Sequence, residues 1–411
     1  MATALARPST FRALRHRNFR LYLGGMLVSV VGSWMQQTAQ SWLVYRLTHS
    51  EFLLGLAWFC SNAPILFLAP VAGLAADRFP RRTIVLLTQT LALIQAALLA
   101  WLTMAGSVRT WHILVLALVL GIVNSFDVPG RQSLYIHLVE KDDLVNAISL
   151  NSAMFNTARI AGPGIAGLVV AALGEGPCFL INSVSFLAVI ASLLAMRIDN
   201  DLASRRSESS SLKDGFRYVW HHPRLRAVLA NAGLVSFCSA PTSALAPVFA
   251  DAIFHRGARG LGFLTSAMGV GAVLGSLNLA RRSGARGLSR VIAISSLSMA
   301  VCLTVYALSP SYYVTLAVMP FIGMSIMRLN AGSQTLVQAR VDDDVRGRVM
   351  GLYTMMFLGM FPVGSLAAGS LASHLGARSA TAVFSAACAL GAVWSWRALA
   401  RPQSSEQESA A

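Results

Sequence analysis

Four ionisable side chains lie inside long apolar stretches of the sequence, where a charge is expensive to bury. Asp127 stands four residues before Arg131 in the run Asn-Ser-Phe-Asp-Val-Pro-Gly-Arg, and Arg159 and Arg328 stand in two further apolar stretches. A charge inside hydrocarbon costs at least about 2.5–3.5 kcal/mol, so such residues mark places where ions or protons are handled. Asp127 is the only carboxylate that we place in this interior. It is the candidate proton-binding group, with a permanent ion pair to one of the three arginines as the alternative.

A second group of charges follows the second apolar stretch, in the run Gly73-Leu-Ala-Ala-Asp77-Arg78-Phe-Pro-Arg81-Arg82. A glycine lets two backbones approach, a carboxylate can pair across an interface between helices, and arginines suit lipid headgroups. We expect this turn to act as a gate, with a turn that only fixes topology as the alternative. The equivalent place in the second half keeps Gly275 but has Leu279 where Asp77 would fall, so a carboxylate latch would be one-sided.

A run of small residues around a proline occurs in the fifth apolar stretch, Ala161-Gly162-Pro163-Gly164-Ile165-Ala166-Gly167. Small side chains let helices pack closely in a membrane, and a proline frees a backbone carbonyl and bends its helix. The second half has a looser version between Gly359 and Gly369, around Pro362. These residues are compatible both with simple close packing and with a hinge.

Helices that cross a membrane must position these side chains. A crossing needs about 20 residues, and twelve stretches of that order lie near 20–45, 53–76, 83–105, 111–131, 147–172, 177–197, 225–250, 260–280, 288–308, 312–334, 347–372 and 378–400. The last six repeat the first six at an offset of 202 residues, for example at Gly121 and Gly323 or Gln132 and Gln334. Parallel repeats of this length are a recurrent design of secondary transporters.

Composition and charge agree with a membrane protein. Hydrophobic residues make up 55% and charged residues 12% of the chain, against about 25% charged in a soluble domain, which excludes a large soluble helical protein. The net charge of +16 comes from Lys and Arg that gather in the two tails and in alternate loops. That asymmetry keeps basic residues on the cytoplasmic side and predicts that both termini are cytoplasmic. It also disfavours a nucleic-acid partner.

The motifs resemble those of the major facilitator superfamily. Its signature between spans two and three is Gly-x-x-x-Asp-(Arg/Lys)-x-Gly-(Arg/Lys)-(Arg/Lys), which the run from Gly73 matches except that Pro80 replaces the second glycine. Gly162, Pro163 and Gly167 resemble the Gly-Pro motif that antiporters of this superfamily carry in span five. The chain is most similar to the drug-exporter branch that contains macrolide efflux proteins and the enterobactin exporter. The stretches that carry this likeness are 127–132, 143–147 and 151–156.

The resemblance implies a substrate path between the two halves, lined chiefly by spans one, four, seven and ten. The neutral amides, hydroxyls and aromatic rings there suit a large, partly apolar ligand better than a small ion. The candidates are Trp34, Gln36, Gln37, Gln40, Asn62, Asn124, Asn231 and Ser239. Each polar residue alone is more often a contact between helices, worth about 0.6 kcal/mol, and Asn182 is interpreted that way. The three glutamines are the strongest candidates for ligand contact.

The implied fold is an all-α integral membrane protein with twelve transmembrane helices in two pseudo-symmetric six-helix bundles, the fold of the major facilitator superfamily. We divide the chain into a cytoplasmic tail at 1–19, a bundle at 20–197, a cytoplasmic central loop at 198–224, a bundle at 225–400 and a disordered tail at 401–411. Within the central loop, the stretch 212–221 mixes aromatic and basic residues and predicts a short helix on the membrane surface.

The implied function is proton-coupled export of a hydrophobic or amphipathic small molecule from a bacterial cytoplasm by alternating access. Such a protein is not an enzyme, needs no cofactor besides the proton gradient, and acts as a monomer among lipids. No metal is expected, because the five cysteines stand apart and the histidines lack metal-ligand spacing. Uptake or lipid flipping by the same fold is the nearest alternative. A non-transporting sensor is a further one, although the parts outside the membrane are short.

Overall fold

Long helices joined by short connections make up the computed structural model, which describes residues 11–197, 212–282 and 287–399. A 3-10 turn at Arg12–Arg15 precedes the first six helices. These are α1 (Arg17–Thr48), α2 (Glu51–Arg78), α3 (Arg81–Met104), α4 (Thr110–Tyr135), α5 (Leu144–Leu173) and α6 (Gly176–Ala195). Short 3-10 turns at Ile136–Leu138 and Lys141–Asp143 connect α4 to α5.

The later part of the chain begins with a short helix and then has longer ones. These are α7 (Leu212–His221), α8 (Pro223–Ser239), α9 (Pro241–Ala244), α10 (Ala246–Val248), α11 (Gly257–Ala280), α12 (Leu288–Leu308), α13 (Tyr312–Arg340), α14 (Asp343–Leu375) and α15 (Ala377–Leu399). The described residues contain no β-strand.

Eleven of the described helices are long and apolar enough to cross a membrane. The remaining long helix is α1, whose 32 residues span about 48 Å at 1.5 Å per residue. Its glutamines at 36, 37 and 40 lower its hydropathy, although its length is ample for a crossing. The predicted helical membrane fold is confirmed, with α1 as the twelfth long helix.

The internal repeat is visible in how two pairs of helices are joined. The connection from α5 to α6 contains Gly174 at φ 82°, and that from α14 to α15 contains Gly376 at φ 80°. A positive φ at the end of a helix favours glycine, since it has no Cβ to clash with the backbone. The two glycines stand 202 residues apart, so both halves use the same residue for the same turn.

Contacts divide the chain into two units, which are each described by themselves. The first unit comprises Met1–Leu43 and Phe67–Ser207, and the second comprises Val44–Leu66 and Glu208–Ala411. The first bundle predicted from the sequence, 20–197, includes the segment 44–66, which belongs to the second unit in the structure. Within the second unit, a Cβ on Gly55 would lie 3.0 Å from Cα of Gly369. The rings of Trp58 and Phe361 also meet edge to face at 5.6 Å.

The core of the first unit joins the beginning of α1 to α5 and α6. Buried aromatic and aliphatic side chains from these helices form one cluster that includes Phe19, Tyr22, Met26, Met154 and Leu193. The ring of Tyr22 also stacks on that of Tyr135 at the end of α4, with centroids 6.2 Å apart. This packing holds α1 beside the end of α4 that carries Asp127 and Arg131.

In the second unit the predicted seventh span, 225–250, is broken. The helix α8 ends at Ser239, and two short helices and a π-helical turn at Phe249–Ile253 follow. Pro241 and Pro247 lie in this stretch. Proline lacks the N–H that continues the hydrogen-bond ladder and clashes with the preceding turn, so a regular helix does not continue through them.

The predicted short helix at 212–221 is present as α7. Phe216 and Trp220 are each 58% exposed, and their rings stack with centroids 5.8 Å apart. On another side, the hydroxyl of Tyr218 donates to Oδ2 of Asp342 at 3.1 Å. Burial raises the pKa of this hydroxyl. The exposed aromatic pair favours the placement of α7 on a membrane surface, which stays a prediction.

Candidate functional site

The carboxylate of Asp127 on α4 is buried, and side chains of the first unit contact both of its oxygens. Its Oδ1 accepts hydrogen bonds from Oγ1 of Thr88 at 2.8 Å and from Nε2 of Gln89 at 2.9 Å, both on α3. Its Oδ2 lies 2.6 Å from Nε of Arg131. Residues four apart share one face of a helix, so α4 itself brings the arginine to the carboxylate.

A glycine explains why α3 can reach this carboxylate. A Cβ on Gly130 would lie 3.1 Å from Cγ2 of Ile84 and 3.3 Å from Cγ2 of Val85, tighter than ordinary van der Waals contact. The absence of a side chain at Gly130 therefore lets α3 lie against α4. Thr88 follows Val85 by almost one helical turn, which places its hydroxyl beside Asp127.

The structure distinguishes the three arginines that the sequence left as partners of Asp127. Only Arg131 lies within ion-pair distance among the described residues, and its guanidinium carbon is 5.6 Å from the ring centroid of Phe155. Arg159 instead lies over the ring of Trp34, at 5.5 Å. Arg328 belongs to the second unit, where its buried Nε has no hydrogen-bond partner in the described residues. Gating or coupling roles for these arginines stay predictions.

Gln36, one of the predicted ligand contacts, is buried in an amide network of the first unit. Its Nε2 donates to Oε1 of Gln95 at 3.0 Å, and its Oε1 accepts from Nδ2 of Asn182 at 2.7 Å. Gln95 in turn donates to the carbonyl of Leu116 at 3.2 Å. The network joins α1, α3, α4 and α6. Asn182 makes the contact between helices that the sequence indicated, and Gln36 makes one as well.

We predict that Gln36→Ala destabilises the protein by about 1–3 kcal/mol, because it removes the hydrogen bonds that Oε1 of Gln95 and Nδ2 of Asn182 make with Gln36 in a buried network. The matched control is Gln37→Ala, since the half-buried Gln37 side chain makes no hydrogen bond to a described residue. Thermal unfolding of both purified variants in detergent measures the difference. Equal melting temperatures for the two variants would contradict the role given to the network.

The other predicted cavity residues differ in what they contact. In the first unit, Trp34 is half-buried, Gln40 is buried and Asn124 is exposed. In the second unit, Nδ2 of Asn231 donates to Oγ of Ser296 at 2.9 Å, and this pair is buried. Asn62 and Ser239 hydrogen-bond to backbone carbonyls within their own helical segments, of Trp58 and Ser236 respectively. Contact of these residues with a substrate remains a prediction.

The loop motif is divided between two helices. Gly73, Asp77 and Arg78 belong to the last turns of α2, and Arg81 and Arg82 begin α3. The side chain of Asp77 lies outside what the structure describes, so its role as a latch stays a prediction. Nη2 of Arg82 donates to the carbonyl of Leu194 at 3.2 Å. A basic side chain on the last carbonyls of a helix is favourable, and here it ties α3 to the end of α6.

The Gly-Pro motif of α5 lies where α5 crosses α1. A Cβ on Gly162 would lie 2.5 Å from Cβ of Trp34 and 3.0 Å from the carbonyl oxygen of Val31. The two helices are thus in backbone contact at this glycine, with Pro163 inside α5. Close packing is what the motif does in this structure, and its role as a hinge stays a prediction.

A charge cluster that the sequence analysis did not single out surrounds Asp143, just before α5. This side chain is fully buried, and its oxygens lie 2.8 Å from Nε of Arg12, 2.9 Å from Nη2 of Arg15 and 2.7 Å from Nε2 of His16. The backbone N–H of Ala13 also donates to Oδ1 of Asn146 at 2.9 Å. The segment 12–16 is therefore fastened to the start of α5. In the sequence these residues belong to two distant stretches, a basic one near residue 12 and the stretch 143–147, and nothing in the pattern joins them.

We predict that Asp143→Ala releases the segment at 12–16, since it removes one carboxylate from three cationic or donor groups. Cleavage by trypsin after Arg12 and Arg15 in the purified protein should become about tenfold faster, because charge-assisted hydrogen bonds contribute about 1.5–3 kcal/mol. The matched control is Asp142→Ala, whose side chain is exposed. If both variants are cleaved at the wild-type rate, the cluster does not hold this segment.

Solved structures with the same fold are membrane transporters. A crystal structure of the nucleoside transporter NupG aligns with a TM-score of 0.78, covering 95% of this chain and 100% of that one at 14% identity. A bacterial homologue of the human lysosomal transporter Spinster aligns with a TM-score of 0.65, covering 96% of each chain at 14% identity. At these identities the likeness shows the fold alone. The fold is that of a major facilitator transporter.

The sequence comparison then identifies the family. The model of the transmembrane secretion effector family, MFS_3, matches residues 8–411. The chain belongs to this family of the major facilitator superfamily. It is a multi-pass membrane protein of a transporter family, and not an enzyme.

Curated relatives at low identity cover most of the chain. The staphyloferrin A transporter of Staphylococcus aureus (strain NCTC 8325 / PS 47) is 23% identical, covering 84% of this chain and 87% of its own length. The multidrug efflux pump Tap of Mycolicibacterium fortuitum is 26% identical, covering 87% and 89%. The enterobactin exporter EntS of Shigella boydii serotype 4 (strain Sb227) is 22% identical, covering 88% and 86%. Together with the family, these relatives identify a transporter of small molecules.

Proposed function

We propose that this protein exports a hydrophobic or amphipathic small molecule, of the drug, macrolide or siderophore type, in exchange for protons. The direction is supported by relatives named as an efflux pump and an exporter. Coupling is supported by one observation above all: Asp127 is only 3% exposed, and neighbouring side chains hold both of its carboxylate oxygens. A carboxylate in an apolar bundle is stable either as a paired anion or as a neutral acid.

The geometry links these two forms of Asp127 to the position of Arg131. In the charged form, Oδ2 of Asp127 pairs with Nε of Arg131. A proton on the carboxyl group removes the charge that holds the guanidinium, whereas Thr88 and Gln89 keep an oxygen to which they donate. Arg131, which also lies over the ring of Phe155 on α5, is then able to change its contacts. Protonation would thereby alter the packing of α3, α4 and α5 and drive alternating access.

We place this exporter in the bacterial cytoplasmic membrane with both termini in the cytoplasm, because basic residues concentrate in the tails and alternate loops. In this proposal it works as a monomer among lipids, without nucleic acid. The proton gradient is its energy source, and neither a metal nor an organic cofactor takes part. The loop motif at 73–82, together with Arg159 and Arg328, contributes to opening and closing the bundles.

The test uses everted membrane vesicles, in which export from the cell becomes uptake into the lumen. An imposed pH gradient, acid inside, should drive accumulation of at least one amphipathic probe from a panel of the anion 1-pyrenebutyrate, the neutral 1-pyrenebutanol and the cation ethidium. Nigericin in potassium buffer should abolish this accumulation, because it dissipates the pH gradient. Vesicles without the protein supply the background.

Three outcomes would contradict the proposal. If no probe accumulates above background, export of amphipathic molecules is not the function. If accumulation is the same with and without the pH gradient, the protein moves its substrate without proton exchange. Loss of probe from the lumen under the same gradient would instead indicate uptake or lipid flipping by this fold.

A further inference from the structure

Arg159 is a cation near the middle of a membrane helix that pairs with no carboxylate in the described residues. Asp127 pairs with Arg131, and Asp143 pairs with Arg12, Arg15 and His16. Asp143 and Glu175 flank the two ends of α5, so each lies about 24 Å from Arg159 along the helix at 1.5 Å per residue. The charge of Arg159 is therefore not balanced by the carboxylates of its own helix or of the site on α4.

The side chain of Arg159 lies over an aromatic ring where α5 and α1 are in close contact. The guanidinium carbon lies 5.5 Å from the ring centroid of Trp34, and Gly162 brings α5 into backbone contact with α1 at the same tryptophan. The contact at Gly162 fixes the two helices, and with them the arginine and the ring. An arginine that lies over an aromatic ring keeps its planar fork of N–H donors available at its edge.

A neutral amide lies on the same face of α1 as Trp34. Gln37 follows Trp34 by three residues, which places both side chains on one side of the helix. The side chain of Gln37 is half-buried and makes no hydrogen bond to any residue that the structure describes. A charged fork, an indole ring and a free amide on two adjoining helices are the groups that recognise an anionic group on an apolar body.

We propose that Arg159 and Trp34, with Gln37 beside them, bind a single anionic group, a carboxylate above all, of an otherwise apolar cargo. This assignment rests on the proposed export function and narrows its substrate class. The cargo supplies the counter-charge that Arg159 lacks among the described residues, and its apolar body packs against the indole. Binding of such an anion also neutralises a charge that is costly inside the membrane, so the loaded carrier would change conformation more easily than the empty one.

The experiment compares two probes that share an apolar body and differ in one charged group, 1-pyrenebutyrate and 1-pyrenebutanol. Binding to the purified protein in detergent is measured by energy transfer from tryptophan to pyrene, with protein-free micelles as the blank. We expect the carboxylate to bind about tenfold or more tightly than the alcohol, as charge-assisted hydrogen bonds imply. Because this assay needs neither transport nor a pH gradient, its failure is separate from failure of the vesicle test of export.

Variants of Arg159 decide whether this residue is the source of the preference. Arg159→Gln should reduce the affinity ratio to about one while leaving the binding of the alcohol unchanged, and Arg159→Lys should retain part of the ratio because it keeps the charge but not the fork. The matched control is Arg20→Gln, an exposed arginine of α1, which should keep the wild-type ratio. Equal affinities of the wild type for both probes overturn the proposal. So does a variant Arg159→Gln that keeps the wild-type ratio or weakens both probes alike.

Discussion

Replacing Asp127 with asparagine is expected to reduce proton-driven accumulation in everted vesicles to the background of vesicles without the protein. The amide still accepts hydrogen bonds from Thr88 and Gln89, but it carries no charge for Arg131 and takes up no proton in the physiological range. The unpaired arginine should also lower stability, since breaking a buried ion pair costs about 3–5 kcal/mol. Uptake of the panel probes, together with a melting curve of the purified variant, measures both effects.

A double variant separates loss of coupling from loss of stability. Asp127→Asn combined with Arg131→Gln removes both charges, so the stability of the bundle should recover while proton-driven uptake stays absent. If Asp127→Asn accumulates the probes as strongly as the wild type and with the same response to nigericin, Asp127 is a structural ion-pair partner and not the coupling group.

The substitution Gly323→Val is expected to prevent stable folding of the second unit. A Cβ on Gly323 would overlap the carbonyl oxygen of Met268, and one on Gly271 would overlap that of Pro320, so α11 and α13 are in backbone contact. A flexible side chain could yield, but these neighbours are backbone atoms of packed helices. Overpacking in ordinary cores costs about 1–3 kcal/mol and occasionally more, and this contact belongs at or above the upper end.

The matched control is Gly347→Val in α14, where no described atom lies within 4 Å of the added Cβ. Fluorescence-detected size-exclusion chromatography and thermal unfolding should show an aggregated or low-melting Gly323→Val protein beside a near-normal Gly347→Val protein. Melting temperatures within a few degrees of one another would show that α11 and α13 can separate at little cost.

The membrane helices and their duplication were predictable because they depend on long-range composition. A run of about twenty apolar residues has few stable structures other than a membrane-spanning helix. The offset of 202 between glycines such as Gly174 and Gly376 reflects turns that need the same positive φ. The break after Ser239 was less visible, since the stretch around Pro241 and Pro247 remains apolar and hydropathy does not register a missing N–H.

The candidate site was only partly predictable because helix rotation decides which side chains meet. The sequence placed Asp127 in an apolar interior and offered three arginines, but only the face of α4 selects Arg131. Thr88 and Gln89 gave no signal of their own, because their role depends on how α3 lies against Gly130. The same limit applies to Gln36. Its neutral amide side chain suited a ligand contact, whereas its orientation places it between Gln95 and Asn182.

The most direct test of the account is proton movement that accompanies transport in proteoliposomes with the pH indicator pyranine trapped inside. The external probe is the panel compound that accumulates most in the vesicle assay, and protein-free liposomes and Asp127→Asn are the controls. Entry of the probe through the wild-type protein should make the lumen more alkaline, because protons leave in exchange. Probe entry with an unchanged lumenal pH, or with acidification beyond that of protein-free liposomes, would contradict proton-coupled export.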